Sequence, residues 1–303
     1  MNSKLIIPCH WDIKTLEEIK IQNERFGVNG IKVREMYGAL AGEAIGNGRS
    51  PNKVTRLNRQ EAIKFRKQVK KANIKFNYLL NNSLPLAQNP KEEKVYEYLD
   101  WIINDFKPDA LIIASKELMY LIRKRYGNVP IHVSTIARVS SIKDIDFFKD
   151  IHPTKIILDN DLARDFDSLK QVIKYASEIN IDLELMLTES CLRKCPFIKK
   201  HRDTISLGLD DTTIHLTCNS KKFSSPDEIL RANFIRPEDM NFYESLGLSS
   251  FKITGRSKPS NWLPEVVKAY LNREYDGNLI RLLGIDPNLH AESWVYLNNS
   301  ALE

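Results

Sequence analysis

Short apolar runs rich in β-branched residues recur along the whole chain, and a stretch of helical period follows most of them. The runs predict strands over 4–9, 30–37, 75–81, 110–114, 131–136, 155–158, 182–188 and 250–254. The amphipathic stretches predict helices over 15–26, 59–72, 91–105, 116–126, 142–149, 162–179, 237–246 and 263–273. The strand runs are continuous rather than alternating, as expected of a parallel sheet covered on both faces. Eight such units point to a (β/α)8 TIM-type barrel, α/β in class, over residues 1–275 as a single domain, with 276–303 as a C-terminal cap or tail. An open doubly wound sheet is the rival, but it would more often carry a glycine fingerprint after the first strand. Here that strand ends in Pro8-Cys9-His10-Trp11.

Two connections stand out. One is the glycine-rich loop 38–51 after the second strand; its glycines match no phosphate-binding motif and read as a mobile lid. The other is a long cysteine-bearing loop after strand 7. It opens with Glu189-Ser190-Cys191-Leu192-Arg193-Lys194-Cys195-Pro196 and reaches Cys218.

Those three cysteines and Cys9 are all that the 303 residues contain. Nothing reads as a secretion signal, so a disulfide framework is not expected. In a barrel, strands seven, eight and one adjoin, and functional groups gather at the C-terminal strand ends. Cys9 and Cys191 would therefore share a rim. A C-x3-C spacing lets Cys191 and Cys195 face one centre, and a thiolate-only set selects zinc or iron–sulfur. One pair plus two singletons fits a [4Fe–4S] cluster better than the paired knuckles of structural zinc, which stands as the alternative. His201 and His215 are candidates to replace a cysteine as ligand.

Other candidates sit on the same rim. Arg256 and Arg49 could clamp an anionic group through a guanidinium fork. His10 flanks Cys9. His132 and Ser134 alternate on strand five, so both could face the lumen, and Asp159 and Glu189 end strands six and seven as acid/base candidates. No Gly-x-Ser-x-Gly or His-Glu-x-x-His is present to carry peptidase chemistry. A net charge of +6 permits an anionic partner without demanding one. No apolar run approaches the roughly 18–20 residues of a membrane helix, so a soluble, cytoplasmic protein without membrane insertion is expected.

Several segments resemble the peptidase U32 (collagenase-like) family. Phe251-Lys252-Ile253-Thr254-Gly255-Arg256 is similar to its Lys-Ile-Glu-Gly-Arg segment, and Ala269-Tyr270-Leu271 to its Ala-Tyr-Arg. Ile131-His132-Val133-Ser134-Thr135 resembles its His-x-Ser-Thr strand, and Asp109-Ala110-Leu111-Ile112-Ile113 its Asp-Ala-apolar strand. Tyr37-Gly38 and Gly48-Arg49 resemble the loop after its second strand. The resemblance spans roughly residues 4–273. It implies a barrel with a four-cysteine [4Fe–4S] cluster, and activities that include oxygen-independent hydroxylation of ubiquinone and of RNA bases, some linked to prephenate as oxygen source. Thr254 departs from the family's Glu, and the cysteine spacing differs from its commonest pattern. The expected function is thus an iron–sulfur enzyme modifying a small-molecule, RNA or peptide substrate. A peptidase is one alternative; a metal-stabilised binding scaffold acting with a protein partner is the other.

Overall fold

The computed structural model describes residues 3–27, 30–50, 53, 55–83, 92–207, 209 and 211–285. Its strands are β1 Ser3–Pro8, β2 Ile31–Gly38, β3 Lys75–Leu80, β4 Ala110–Ile113, β5 Ile131–Val133, β6 Lys155–Ile157, β7 Asp182–Met186 and β8 Ser250–Lys252. All neighbours pair in parallel, and β8 pairs with β1, so the sheet closes into the expected eight-stranded barrel. The outer helices are α1 Ile13–Phe26, α2 Arg59–Lys71, α3 Glu92–Trp101, α4 Lys116–Tyr126, α5 Ile142–Phe148, α6 Phe166–Glu178 and α11 Trp262–Asn272. Between β7 and β8 lie α7 Ile198–Ser206, α8 Thr212–Phe223, α9 Pro226–Leu230 and α10 Met240–Ser245. A short α12, Leu279–Leu282, packs on α11, where Trp262 Nε1 donates to the Arg281 carbonyl at 2.8 Å. Of the segment read as a cap or tail, 286–303 lies outside the described residues.

Polar residues before each helix fix where it starts. Asp12 accepts from the amides of Lys14 and Thr15, Asn58 and Glu61 form a reciprocal capping box, and Ser115, Ser141 and Asp165 cap α4, α5 and α6. Strand β5 is shorter than the apolar run suggested. The Ser134 hydroxyl captures the Ile136 amide and turns 135–137 into a 3-10 helix. The connection after β7 is helical rather than a loop, for a reason taken up in the Discussion.

The barrel interior is charged. Lys155 (β6) places Nζ 3.0–3.1 Å from both oxygens of Glu35 (β2) and 3.1 Å from Oε2 of Glu184 (β7). Lys252 (β8) sits 3.1 Å from Glu184 Oε1 and 4.0 Å above the Tyr37 ring. Asn77 (β3) donates to Glu35 at 2.6 Å. A register shift between Leu5 and Ile6 of β1 pairs Ile6 with Glu35 rather than Arg34. Glu35 is thereby buried while Arg34 stays exposed, the re-aiming that bulges provide. Burial alone would raise the Glu184 pKa, but Lys252 and Lys155 overcome it and hold the carboxyl near 2. Burial, then the cation of Lys155, pushes His132 down to about 3, so its ring is neutral in the lumen.

Candidate metal centre and anion site

Cys191, Cys195 and Cys218 come together beyond the end of β7. Cys191 and Cys195 line one cleft of about 270 Å³ with Arg138, Asp159, Asp161 and Arg202. Cys218, on α8, lies in the field of the buried Lys222 of the same helix and of Cys195 and Glu189. Cys191 lies in the field of Lys222 and of Cys218. Arg138, Arg202 and Lys222 therefore surround thiols that would carry negative charge as metal ligands. Cys9 has a different set of neighbours. It ends β1, is buried, takes the Trp11 amide on Sγ at 3.4 Å, and lies near Arg256. A Cβ on Gly38 would stand 2.8 Å from Cys9 Cβ, so only glycine lets β2 pass this thiol.

The backbone is held unusually at both places. Eight non-glycine residues adopt positive φ, and six of them end a helix or follow its cap. The other two are Trp11 (φ 58°), two residues after Cys9, and Lys194 (φ 49°), just before Cys195. Such conformations persist where the surroundings over-determine them, often at functional sites. Asp161 does this for Lys194: its Oδ1 accepts the Lys194 amide at 2.9 Å and Asn233 Nδ2 at 2.6 Å. Trp11 is pinned by ring contacts to Phe65, Phe76 and Phe106.

All four cysteines are free of disulfides. Burial raises the pKa of Cys9, Cys191 and Cys218, and Glu189 adds to the rise at Cys191. A cysteine nucleophile needs the opposite, a lowered pKa. A single zinc with bonds of about 2.3 Å would draw its thiols to about 3.8 Å apart. Among the described residues, the group of potential ligands gathered within 4.8 Å of one another is His201, Asp211 and His215, and it contains no cysteine.

The two arginines expected to form an anion clamp share one partner, Asn47. Arg256 follows β8, is 9% exposed, and gives Nη2 to the Asn47 carbonyl at 2.6 Å and Nη1 to Asn47 Oδ1 at 3.3 Å. Asn47 Oδ1 also takes the Arg49 amide at 3.1 Å. Burial, reinforced by the cation of Arg49, lowers the Arg256 pKa to about 9, which still leaves it charged at neutral pH. Among the described residues no carboxylate pairs with either arginine. A buried guanidinium in that state favours an incoming anion. His10 adjoins it: Nε2 faces the Gly255 carbonyl at 2.9 Å, so that nitrogen carries the proton, and the buried Nδ1 has no partner. Gly255 itself is required, with φ at 131° and Trp262 within 2.5 Å of any Cβ.

The remaining candidates have structural work. Asp159 pairs with Arg138 at 2.9 Å and accepts the Asp161 amide at 3.0 Å, at the edge of the cysteine cleft. Glu189 accepts the Cys191 amide at 3.1 Å. His132 faces the lumen and lies among the charges of Lys155, Glu35, Glu184 and Lys252. Glu35, Lys155 and Glu184 are not singled out by the sequence, and Lys252 only as part of the family-like segment 251–256.

A model described as peptidase family U32 matches residues 41–192. The chain is 30% identical over 269 residues to the uncharacterized protease MJ1657 of Methanocaldococcus jannaschii, covering 86% of this chain and 78% of that protein. It is 28% identical over 106 residues to tRNA hydroxylation protein P of Haemophilus influenzae, covering 35% of this chain and 22% of that protein. Among solved structures, the U32 peptidase Mk0906 superposes with a TM-score of 0.55 at 12% identity, over 84% of this chain and 93% of that one, a likeness of fold. No described helix is long and apolar enough to cross a membrane.

Proposed function

The chain belongs to peptidase family U32, and on that premise we propose that it is an iron–sulfur enzyme that modifies an anionic substrate by oxygen-independent hydroxylation or a related redox step. The observation that carries this reading is the gathering of Cys191, Cys195 and Cys218 under Arg138, Arg202 and Lys222 at one barrel mouth. Cys191, Cys195, Cys218 and Cys9 would hold a [4Fe–4S] cluster. When bound, such a centre supplies one-electron transfer at a potential set by charge and by hydrogen bonds to sulfur.

The chain's own groups supply the rest. The Trp11 amide is a ready donor to the Cys9 sulfur. Arg256 and Arg49 bind the carboxylate or phosphate of the substrate, and the unpartnered Nδ1 of His10 accepts a proton or hydrogen bond from it. Burial of Arg256 keeps water from competing for its fork. Similarity to tRNA hydroxylation protein P supports the hydroxylation class. The peptidase reading is supported by the printed name of the Methanocaldococcus relative, and the raised thiols argue against a cysteine nucleophile.

The test compares anaerobically prepared protein before and after chemical removal of iron. Hydroxylation of RNA or small-molecule substrates with prephenate supplied as the oxygen donor and electron acceptor, lost when the iron is removed, supports the proposal. Peptide hydrolysis that survives iron removal overturns it. Cys9→Ser is expected to yield protein with less iron and a shifted spectrum. Unchanged iron content in that variant would remove Cys9 from the ligand set.

A further inference from the structure

We propose that His201, Asp211 and His215 form a second, mononuclear site for a divalent transition metal, zinc in the first instance, with coordination positions left open for an anion. His201 projects from α7, His215 from the first turns of α8, and Asp211 is the residue before α8. His215 Nε2 lies 2.9 Å and His201 Nε2 3.3 Å from the same oxygen, Asp211 Oδ2, and the three ligand atoms fall within 4.8 Å of one another. Metal bonds of about 2.0–2.1 Å at tetrahedral or right angles separate neighbouring ligands by about 2.9–3.4 Å. The two edges to Asp211 Oδ2 lie in that interval, and the third, between the imidazole nitrogens, falls within 4.8 Å and shortens on binding.

The behaviour of Asp211 is an independent indication. An aspartate before a helix ordinarily accepts an amide of the first turn, a contact worth about 0.5–2 kcal/mol. Asp211 makes no such bond. Its carboxylate is 2% exposed and turns toward the two rings, with Lys53 Nζ on Oδ1 at 2.7 Å. Lys53 thus occupies one oxygen and leaves Oδ2 for one-point ligation, the kind of outer contact that orients ligating carboxylates. The alternative for these groups is a plain hydrogen-bonded trio, with both Nε2–H groups sharing Oδ2. A metal would replace those two protons and draw the two rings toward Oδ2.

Two imidazoles and one carboxylate suit zinc, iron(II), cobalt or nickel and not magnesium or calcium. Lys53 and Arg49 both lie in the field of His201. A doubly charged ion beside them leaves excess positive charge, so its open positions favour hydroxide, a carboxylate or a phosphate. The site holds none of the four cysteines.

Cobalt(II) titration distinguishes this site from the thiols, because thiolate ligands give strong near-ultraviolet charge-transfer bands and nitrogen–oxygen ligands give only weak visible ones. In full-length protein lacking Cys191 and Cys195 as serines, one cobalt is expected to bind with the weak bands alone. Adding His215→Ala should weaken cobalt and zinc binding at least tenfold. Should the cysteine variant not fold, wild type and His215→Ala are compared directly; the His215 side chain is 42% exposed, so its loss leaves the fold intact. The weak bands should vanish while any thiolate bands remain. Binding unaffected by His215→Ala and His201→Ala, or no cobalt bound outside the thiols, would overturn the site.

Discussion

Lys155→Met is expected to destabilise the barrel by about 3–5 kcal/mol, the usual cost of stranding a buried charge by removing its partner. Two carboxylates depend on this ammonium, Glu35 and Glu184, with side chains 8% and 1% exposed. Lys252 would still neutralise Glu184 from 3.1 Å, but Glu35 would keep only the amide of Asn77. A lower thermal midpoint for purified variant and wild type, read by circular dichroism, checks this.

The pH dependence follows with a definite sign. In the wild type Glu184 is depressed from 4.5 to about 2, so its contribution is complete above about pH 4.5 and is lost as pH falls toward 2. His132 is neutral when folded and begins to favour the unfolded chain once pH falls below 6.5. Without Lys155 the largest remaining influence on Glu35 is burial, which raises its pKa. Protonation then relieves the stranded charge. The stability gap between wild type and variant should therefore narrow between pH 7 and pH 4. A gap that stays constant over that range would mean the variant's loss is one of packing rather than charge.

Arg256→Met should have the opposite balance, with large functional loss and little change in stability. Its guanidinium is buried beside Arg49 with no carboxylate partner among the described residues, so removing the charge relieves a desolvation cost. The lost bonds to Asn47 offset part of that gain. Charge-assisted bonds are worth about 1.5–3 kcal/mol each, so affinity for carboxylate or phosphate probes, prephenate and inorganic phosphate among them, should fall roughly 10- to 100-fold. Calorimetric titration and a melting curve on the same preparation measure both halves. An Arg256→Met protein that melts far below wild type yet binds these anions normally would make Arg256 a structural residue.

The eight-unit architecture was readable because each unit carries its own punctuation. α4 is the clearest case: Ser115 caps it, Gly127 leaves it at φ 67°, and the expected span 116–126 matches to the residue. The helices after β7 could not be read the same way. α7 is short and buries no side chain, and α8 is weakly amphipathic and buries only Lys222, so neither announces a core-facing helix. The approach of Cys191 and Cys195 was legible from their C-x3-C spacing, whereas Cys9 keeps its own neighbours, Trp11, Gly38 and Arg256. The lumen quartet was not legible. Glu35, Lys155, Glu184 and Lys252 lie on four strands, and nothing local marks them as partners until the barrel closes and a bulge turns Glu35 inward. Asp211 and His215 are one helical turn apart and could have been paired on spacing; His201, across a helix boundary, could not.

Anaerobic purification followed by iron and acid-labile sulfide analysis, on wild type and on Cys191→Ser, is the most direct test of the thiol centre. The account predicts about four irons and four sulfides per chain in the wild type, and loss of most of both in the variant. Wild-type protein carrying zinc in place of iron, or a Cys191→Ser protein with undiminished iron and sulfide, would contradict it.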